Sequence, residues 1–469
     1  MKPFIFLAAI LLFSISFIAG AQTKAKPNII IILADDLGWG DVGYHGSTIK
    51  TPNIDKFAKD GIELKRFYTA ALCSPTRAGI LTGRYPDRVG LRSIIPPWSK
   101  FGVDTSEVFL PQVLAEAGYK NRAIIGKWHL GHSSLKYHPL NRGFTHFYGF
   151  LNGYVDYFSH KREGELDWHN DFKPSYDSGY STDLIADEAV KSIKNYVKES
   201  PFFLYVAFNA SHSPLQAKKT DLLKYGYDES KPSFPHTDRE GEEGRGNTKA
   251  QTYAAIVSNM DENIGRILKT LKDLNIENNT IVLFESDNGA QIAEGGSSGS
   301  LRGSKGTEWE GGVRAPAIIR WPAGFKGGRS SDQLMGYIDV MPTLLDIAGV
   351  DRKPIKRFDG ISVLPALTGK VLHIDRNFYL GLGAIVNQDW KLIVAAKAGP
   401  QMNITEDQLF KISTDFSEKE NVAGQHKKEY DELKNELERY SNIKPAMVLP
   451  PFALGRKGFV APKEWTIKD

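Results

Sequence analysis

One cysteine, Cys73, lies in the stretch Leu72-Cys73-Ser74-Pro75-Thr76-Arg77-Ala78-Gly79-Ile80-Leu81-Thr82-Gly83-Arg84. Without a second cysteine in the chain it forms no internal disulfide. Pro75 suits the first turn of a helix, where its missing N–H is no loss, with Ser74 or Cys73 near the cap. The sulfur is therefore expected at a helix N-terminus, where free N–H groups and the dipole favour an anion. Arg77, four residues on, lies one turn away on the same face. A sulfur, a guanidinium and an anion-friendly helix start suggest a covalent site. The bland alternative is a buried small hydrophobe, the ordinary fate of a free cysteine.

Other segments carry compatible groups. Asp35 and Asp36 are adjacent, and neighbouring carboxylates repel unless a cation or a proton sits between them. Such hard oxygen donors suit Ca²⁺ or Mg²⁺, against the alternative of a solvated turn. Asp287 and Asn288 offer a further carboxylate and an amide oxygen. In Gly126-Lys127-Trp128-His129-Leu130-Gly131, Lys127 and His129 project the same way if the segment stays extended. They supply fixed positive charge and a proton-transfer group. His212 follows an apolar run ending at Phe208, and the glycines of Gly303-Ser304-Lys305-Gly306 let the backbone approach a ligand and present Lys305. Singly these are weak signals, and Lys127 and His129 alone read equally well as a surface lysine and a satisfied loop histidine. Together they match a site for an anionic tetrahedral group held by a divalent cation.

The elements that must position these groups are legible. Pro27 to Asp36 is a continuous apolar run ending in two acids, the mark of a buried parallel strand with functional groups at its C-terminal end. Strands are expected at 122–125, 202–208, 280–285 and 316–321. Helices are expected at 53–60, 110–117, 183–198, 253–274 and 341–348. This alternation predicts an α/β fold, a large mostly parallel sheet sandwiched by helices. Beyond about residue 365, short strand-like pieces (377–382, 390–394, 408–412) and a charged helix (426–440) predict a smaller C-terminal α+β domain with an antiparallel sheet. The expected division is a signal peptide over 1–21, a catalytic domain over 22–364 and the small domain over 365–469. Long polar loops at 152–180 and 213–249 suggest a substrate cleft.

The chain has 469 residues and a net charge of +4, too balanced to indicate a nucleic-acid partner. Lys2, the apolar run from Phe4 to Ile18 and Ala19-Gly20-Ala21 read as a cleavable secretory signal, giving a periplasmic or secreted protein without stable membrane insertion.

Taken together, the sequence resembles the formylglycine-dependent sulfatases of the alkaline phosphatase superfamily over nearly the whole mature chain. Cys73-Ser74-Pro75-Thr76-Arg77 matches their C-x-P-x-R signature, Ala78 to Arg84 extends it, and Gly126 to Gly131 matches the second signature. Thr76 stands where many members have Ser. The resemblance implies that a maturation enzyme converts Cys73 to Cα-formylglycine. One hydroxyl of the aldehyde hydrate would attack sulfur, and deprotonation of the other would expel sulfate. It implies one Ca²⁺ on Asp35, Asp36, Asp287, Asn288 and the modified Cys73. It further implies that Arg77 holds the hydrate, Lys127 and Lys305 neutralise sulfate oxygens, and His129 takes the second hydroxyl's proton. His212, assisted by Lys305, is the expected acid on the leaving oxygen.

A sulfated carbohydrate, an algal glycan or a glycosaminoglycan, is the expected substrate, with exo action favoured. Trp98, Lys100, His138, Arg142, Tyr154, Tyr157, His160, Lys161, Arg162, Trp168 and His169 lie in the loops. They could meet sugar faces or extra anionic groups, although for most of them simple loop closure is the better reading. The rival expectations are a phosphodiester or phosphonate monoester hydrolase of the same superfamily, and an inactive glycan-binding relative.

Overall fold

The computed structural model describes residues 26–199, 201–235, 241, 243–350, 356–443 and 450–467. The expected signal peptide lies outside the described residues.

Asn28–Ala34 (β1) is the middle of a ten-stranded sheet. Its partners are Ile62–Leu64 (β2), Asn121–Lys127 (β3), His146–Phe150 (β4), His169–Asn170 (β5), Lys173–Pro174 (β6), Phe202–Ala207 (β7), Thr280–Ser286 (β8), Ala317–Arg320 (β9) and Arg329–Ser331 (β10). The order is β10-β2-β9-β8-β1-β7-β3-β4-β5-β6. The five central strands, β8-β1-β7-β3-β4, are mutually parallel, and antiparallel pairs begin at β9 and at β5.

Every residue of β1 is buried, because both sheet faces are covered. Ile29, Ile31 and Leu33 enter one core and Ile30, Ile32 and Ala34 the other. The first core receives Cys73–Thr82 (α2), Leu110–Glu116 (α3) and Val340–Ile347 (α6). The second receives Pro52–Asp60 (α1), Ser181–Tyr196 (α4) and Lys249–Asp273 (α5). Truncating one of these isoleucines to Ala would cost about 2–5 kcal/mol.

Parallel register aligns the functional strand ends. Ala34 pairs with Ser286, Leu33 with Ala207, and Ala207 with Gly126. Asp35, Asp287, Asn209 and Lys127 therefore leave the sheet along one edge.

The small C-terminal domain carries an antiparallel sheet of Phe378–Gly381 (β11), Ala384–Val386 (β12), Lys391–Ile393 (β13) and Gln408–Phe410 (β14), in sequential order. Lys427–Ser441 (α7) covers it through Leu433 and Leu437. The sequence reading missed β12, which is only three residues long. It also took 152–180 for plain loop, whereas that segment contains Lys161–Arg162 paired with Glu165–Leu166 as well as β5 and β6.

Candidate active site

α2 is buried over all ten residues and begins at Cys73. Its N-cap is Leu72, with no side-chain cap, which corrects the expected cap at Ser74 or Cys73. The Ser74 hydroxyl donates instead to the His129 carbonyl (2.9 Å), tying the helix start to the second motif. Thr76 Oγ1 accepts from the Ala70 N–H (3.0 Å) and so fixes the chain entering the helix. Gly79 is required by close approach: a Cβ there would lie 2.2 Å from the Tyr337 ring.

Arg77 is fully buried. Its Nε and Nη2 donate to Asp287 Oδ2 (3.0 and 2.7 Å), and Nη1 donates to the Lys127 carbonyl (3.1 Å). Burial alone would lower its pKa, but Asp287 and Asp35 overcome this and hold the guanidinium charged. Lys127 Nζ meets Asp35 Oδ2 at 2.5 Å, and Lys305 Nζ lies 2.6 Å from Asp36 Oδ1. Burial pushes Asp35 up to about 8 against the pull of Lys127. For Asp36, Lys305 and His212 outweigh burial and hold the carboxyl below its usual range.

His129 does not continue an extended strand; its φ is 58°, and its N–H donates to the Leu151 carbonyl (3.1 Å). That turn, rather than the expected two-residue alternation, brings its ring to Cys73, with Nδ1 3.3 Å from Sγ. Nε2 lies 3.1 Å from the Ile95 carbonyl, which can only accept, so the proton sits on Nε2 and Nδ1 faces Cys73 as a free base. Burial first, then Lys127 and Arg77, hold the ring neutral. Burial also raises the Cys73 thiol. Thiol and imidazole therefore remain neutral rather than forming a thiolate–imidazolium pair.

His212 Nδ1 donates to the Ser213 carbonyl (2.6 Å), leaving Nε2 toward Asp36 Oδ2 (3.7 Å). Burial pulls its pKa down to about 3 while Asp36 acts upward. Asn288 Nδ2 donates to Asp36 Oδ1 (2.8 Å).

The donor set fits a hard divalent cation. Among the described residues, the buried Asp35 Oδ1 and Asn288 Oδ1 have no hydrogen-bond partner. Ligand atoms of Asp35, Cys73 and Asp287 lie within 4.8 Å of one another, as do those of Asp35, Asp36 and His212. On the modification expected from the sequence, an oxygen of residue 73 would take the place of Sγ there. Oxygen-rich, carboxylate-dominated sites of this kind suit Ca²⁺.

All ten expected site residues thus gather at one sheet edge. Most of the loop residues do not, Tyr154 beside His212 being an exception. Arg142 donates to the carbonyls of Val103, Asp104 and Glu107, His160 bonds the Gly179 carbonyl, and His169 pairs with Asp167. Trp168 is buried, Tyr157 donates to the carbonyls of Asn209 and His212, and His138 stacks on Phe172. The sequence reading also missed a supporting network. Asp41 accepts from Tyr253 Oη (2.6 Å) and from the N–H groups of Gly38 and Ser297, bracing the Asp36 turn. A tyrosine in the second turn of α5 gives no local sign of that role.

Cys73 at a buried helix N-terminus, with three carboxylates and three fixed cations at a parallel sheet edge, is the arrangement of a hydrolase of anionic esters. Residues 27–350 match the Sulfatase family, and residues 304–443 match the family described as N-sulphoglucosamine sulphohydrolase, C-terminal. N-acetylgalactosamine-6-sulfatase of Mus musculus is 34% identical over 434 residues, covering 86% of this chain and 78% of its own. The crystal structure of Ps i-CgsB in complex with k-i-k-neocarrahexaose superposes with a TM-score of 0.79 at 32% identity, covering 92% of this chain and 98% of that one. The chain belongs to the sulfatase family and is a sulfuric ester hydrolase.

Proposed function

We propose that this sulfatase is exported and removes sulfate esters from oligosaccharides of a sulfated glycan, using formylglycine made from Cys73 and one Ca²⁺. The observation that carries the chemistry is the convergence of Cys73, His129, Arg77 and the two lysines on the acidic sheet edge. The substrate class rests on the relatives: one is named N-acetylgalactosamine-6-sulfatase and another is complexed with k-i-k-neocarrahexaose. A maturation enzyme is the implied partner. The proposed division is a catalytic unit over 22–364 and a small domain over 365–469.

Formylglycine supplies a hydrated aldehyde, hence a nucleophilic hydroxyl and a second hydroxyl whose deprotonation would expel sulfate from the first and restore the aldehyde. Asp35, Asp36, Asp287 and Asn288 would hold the cation, which supplies Lewis acidity toward that hydroxyl and the sulfate. Arg77, locked by Asp287, orients the residue-73 oxygen. Lys127 and Lys305 meet the charge on sulfate oxygens. His129 Nδ1 takes a proton at residue 73, since Ile95 fixes the opposite tautomeric position. Because Nδ1–H is held by the Ser213 carbonyl, His212 would give a proton from Nε2 to the leaving oxygen as the imidazolium, the form Asp36 favours, with the ammonium of Lys305 beside it.

Desalted sulfated oligosaccharides, incubated with the matured enzyme and assayed for free sulfate, test the substrate. Nitrophenyl sulfate and a nitrophenyl phosphodiester, compared by kcat/KM, test the reaction. Release of sulfate with a sulfate-ester preference is expected; a large diester preference contradicts the proposal.

A further inference from the structure

The loop after β4 touches both histidines of the site. Asp167 accepts from the Leu151 and Asn152 N–H groups (3.0 and 2.9 Å) and from Asn152 Nδ2 (2.8 Å), which clamps the turn. Gly153 passes so close to His129 that a Cβ would lie 2.8 Å from the ring. Tyr154 then stacks on His212, with ring centroids 5.6 Å apart and planes 22° from parallel. The Arg162 guanidinium lies over the Tyr154 ring, 3.5 Å from its centroid. Behind Arg162 stands Trp465, 1% exposed, whose Nε1 donates to the Arg162 carbonyl (2.9 Å). The result is a column from the C-terminal segment through Arg162 and Tyr154 to His212.

The geometry points to Tyr154 as a positioning residue for His212, which rests on the reading of His212 as general acid. His212 is held at one end only: Nδ1 is bonded to the Ser213 carbonyl, and the backbone carbonyl accepts from Tyr157 Oη (2.9 Å). Those contacts fix the nitrogen used and the backbone, but rotation of the ring about the Nδ1 bond is restrained by the face packed on Tyr154. Aromatic stacking supplies that restraint without competing for Nε2. Arg162 holds the outer face of Tyr154 by a cation–π contact.

Ring-substituted phenyl sulfates of one shape and graded leaving-group pKa separate positioning from substrate binding. His212→Ala should steepen the fall of kcat/KM with leaving-group pKa, because the poorest leaving groups need the proton most. Tyr154→Leu should steepen it in the same direction. The poorest leaving group should lose roughly 10–100-fold and the best less than about threefold. Tyr154→Phe keeps the ring and should keep the wild-type slope. The double variant should be no steeper than His212→Ala. Tyr154→Met is the second test should the Leu variant fold poorly. A Tyr154→Leu or Tyr154→Met variant that lowers all substrates equally, or none, overturns the inference and makes the ring a cleft wall. If His212→Ala leaves the slope unchanged, the general-acid reading itself falls.

Discussion

Cys73 is a small buried side chain whose neighbours argue against thiol chemistry. Its pKa is raised by burial, and the imidazole 3.3 Å away is held neutral. Cys73→Ala should therefore retain the fold, with an unchanged circular dichroism spectrum and melting temperature, while turnover falls below about one-thousandth of wild type. Cys73→Ser should be similarly inactive, since it offers one hydroxyl where two are needed. At the same scale, Asp35, Asp36 and Asp287 crowd three carboxylates into a buried space. Chelation should lower the melting temperature, and Ca²⁺ at a hundredfold excess over Kd should restore about 2.7 kcal/mol, read by calorimetry. No calcium-dependent shift would contradict the proposed cation.

The strand ends and the helix start were legible because their chemistry is local. An apolar run closing on Asp35-Asp36, and Cys73 two residues before a proline, declare themselves in a few letters. The parallel register then brings distant segments together without further information. What stayed hidden depends on single turns and on packing at long range. The left-handed turn at His129 redirects its ring, and Tyr154 meets His212 across 58 residues of sequence. The loop carrying Lys305 shows a comparable hidden feature in Glu308. Burial pushes Glu308 up to about 7 from 4.5, and its Oε2 has no partner among the described residues. The folded state thus binds more protons than the unfolded between those values. The stability contributed is complete below about 4.5 and is lost as pH rises through 7. Glu308→Gln should match wild type in melting temperature near pH 4.5 and exceed it near pH 8. A difference independent of pH would contradict this assignment.

At the scale of the molecule, the two sheets are joined by buried charge. Lys391 on β13 lies 2.9 Å from Glu310 Oε1 and 2.8 Å from Glu418 Oε1, and all three side chains are fully buried. Glu310 opens the short helix Glu310–Val313, five residues after Lys305, and its N–H donates to Glu418 Oε2 (2.7 Å). The small domain therefore grips the segment that presents a site lysine. Lys391→Met would strand two carboxylates and should cost about 3–5 kcal/mol, measured by denaturant unfolding. A change below 1 kcal/mol would show that the domains hold together without the pair. On the proposed function, the whole arrangement, from the parallel sheet edge to the buried helix start, serves one residue, Cys73, that is converted before it acts. The most direct measurement is the mass of the Cys73 peptide across preparations converted to different extents, set against specific activity on a sulfate ester. Activity should rise in proportion to the lighter, aldehyde-bearing fraction and extrapolate to zero without it. Full turnover by protein whose Cys73 peptide carries only the thiol would contradict the account.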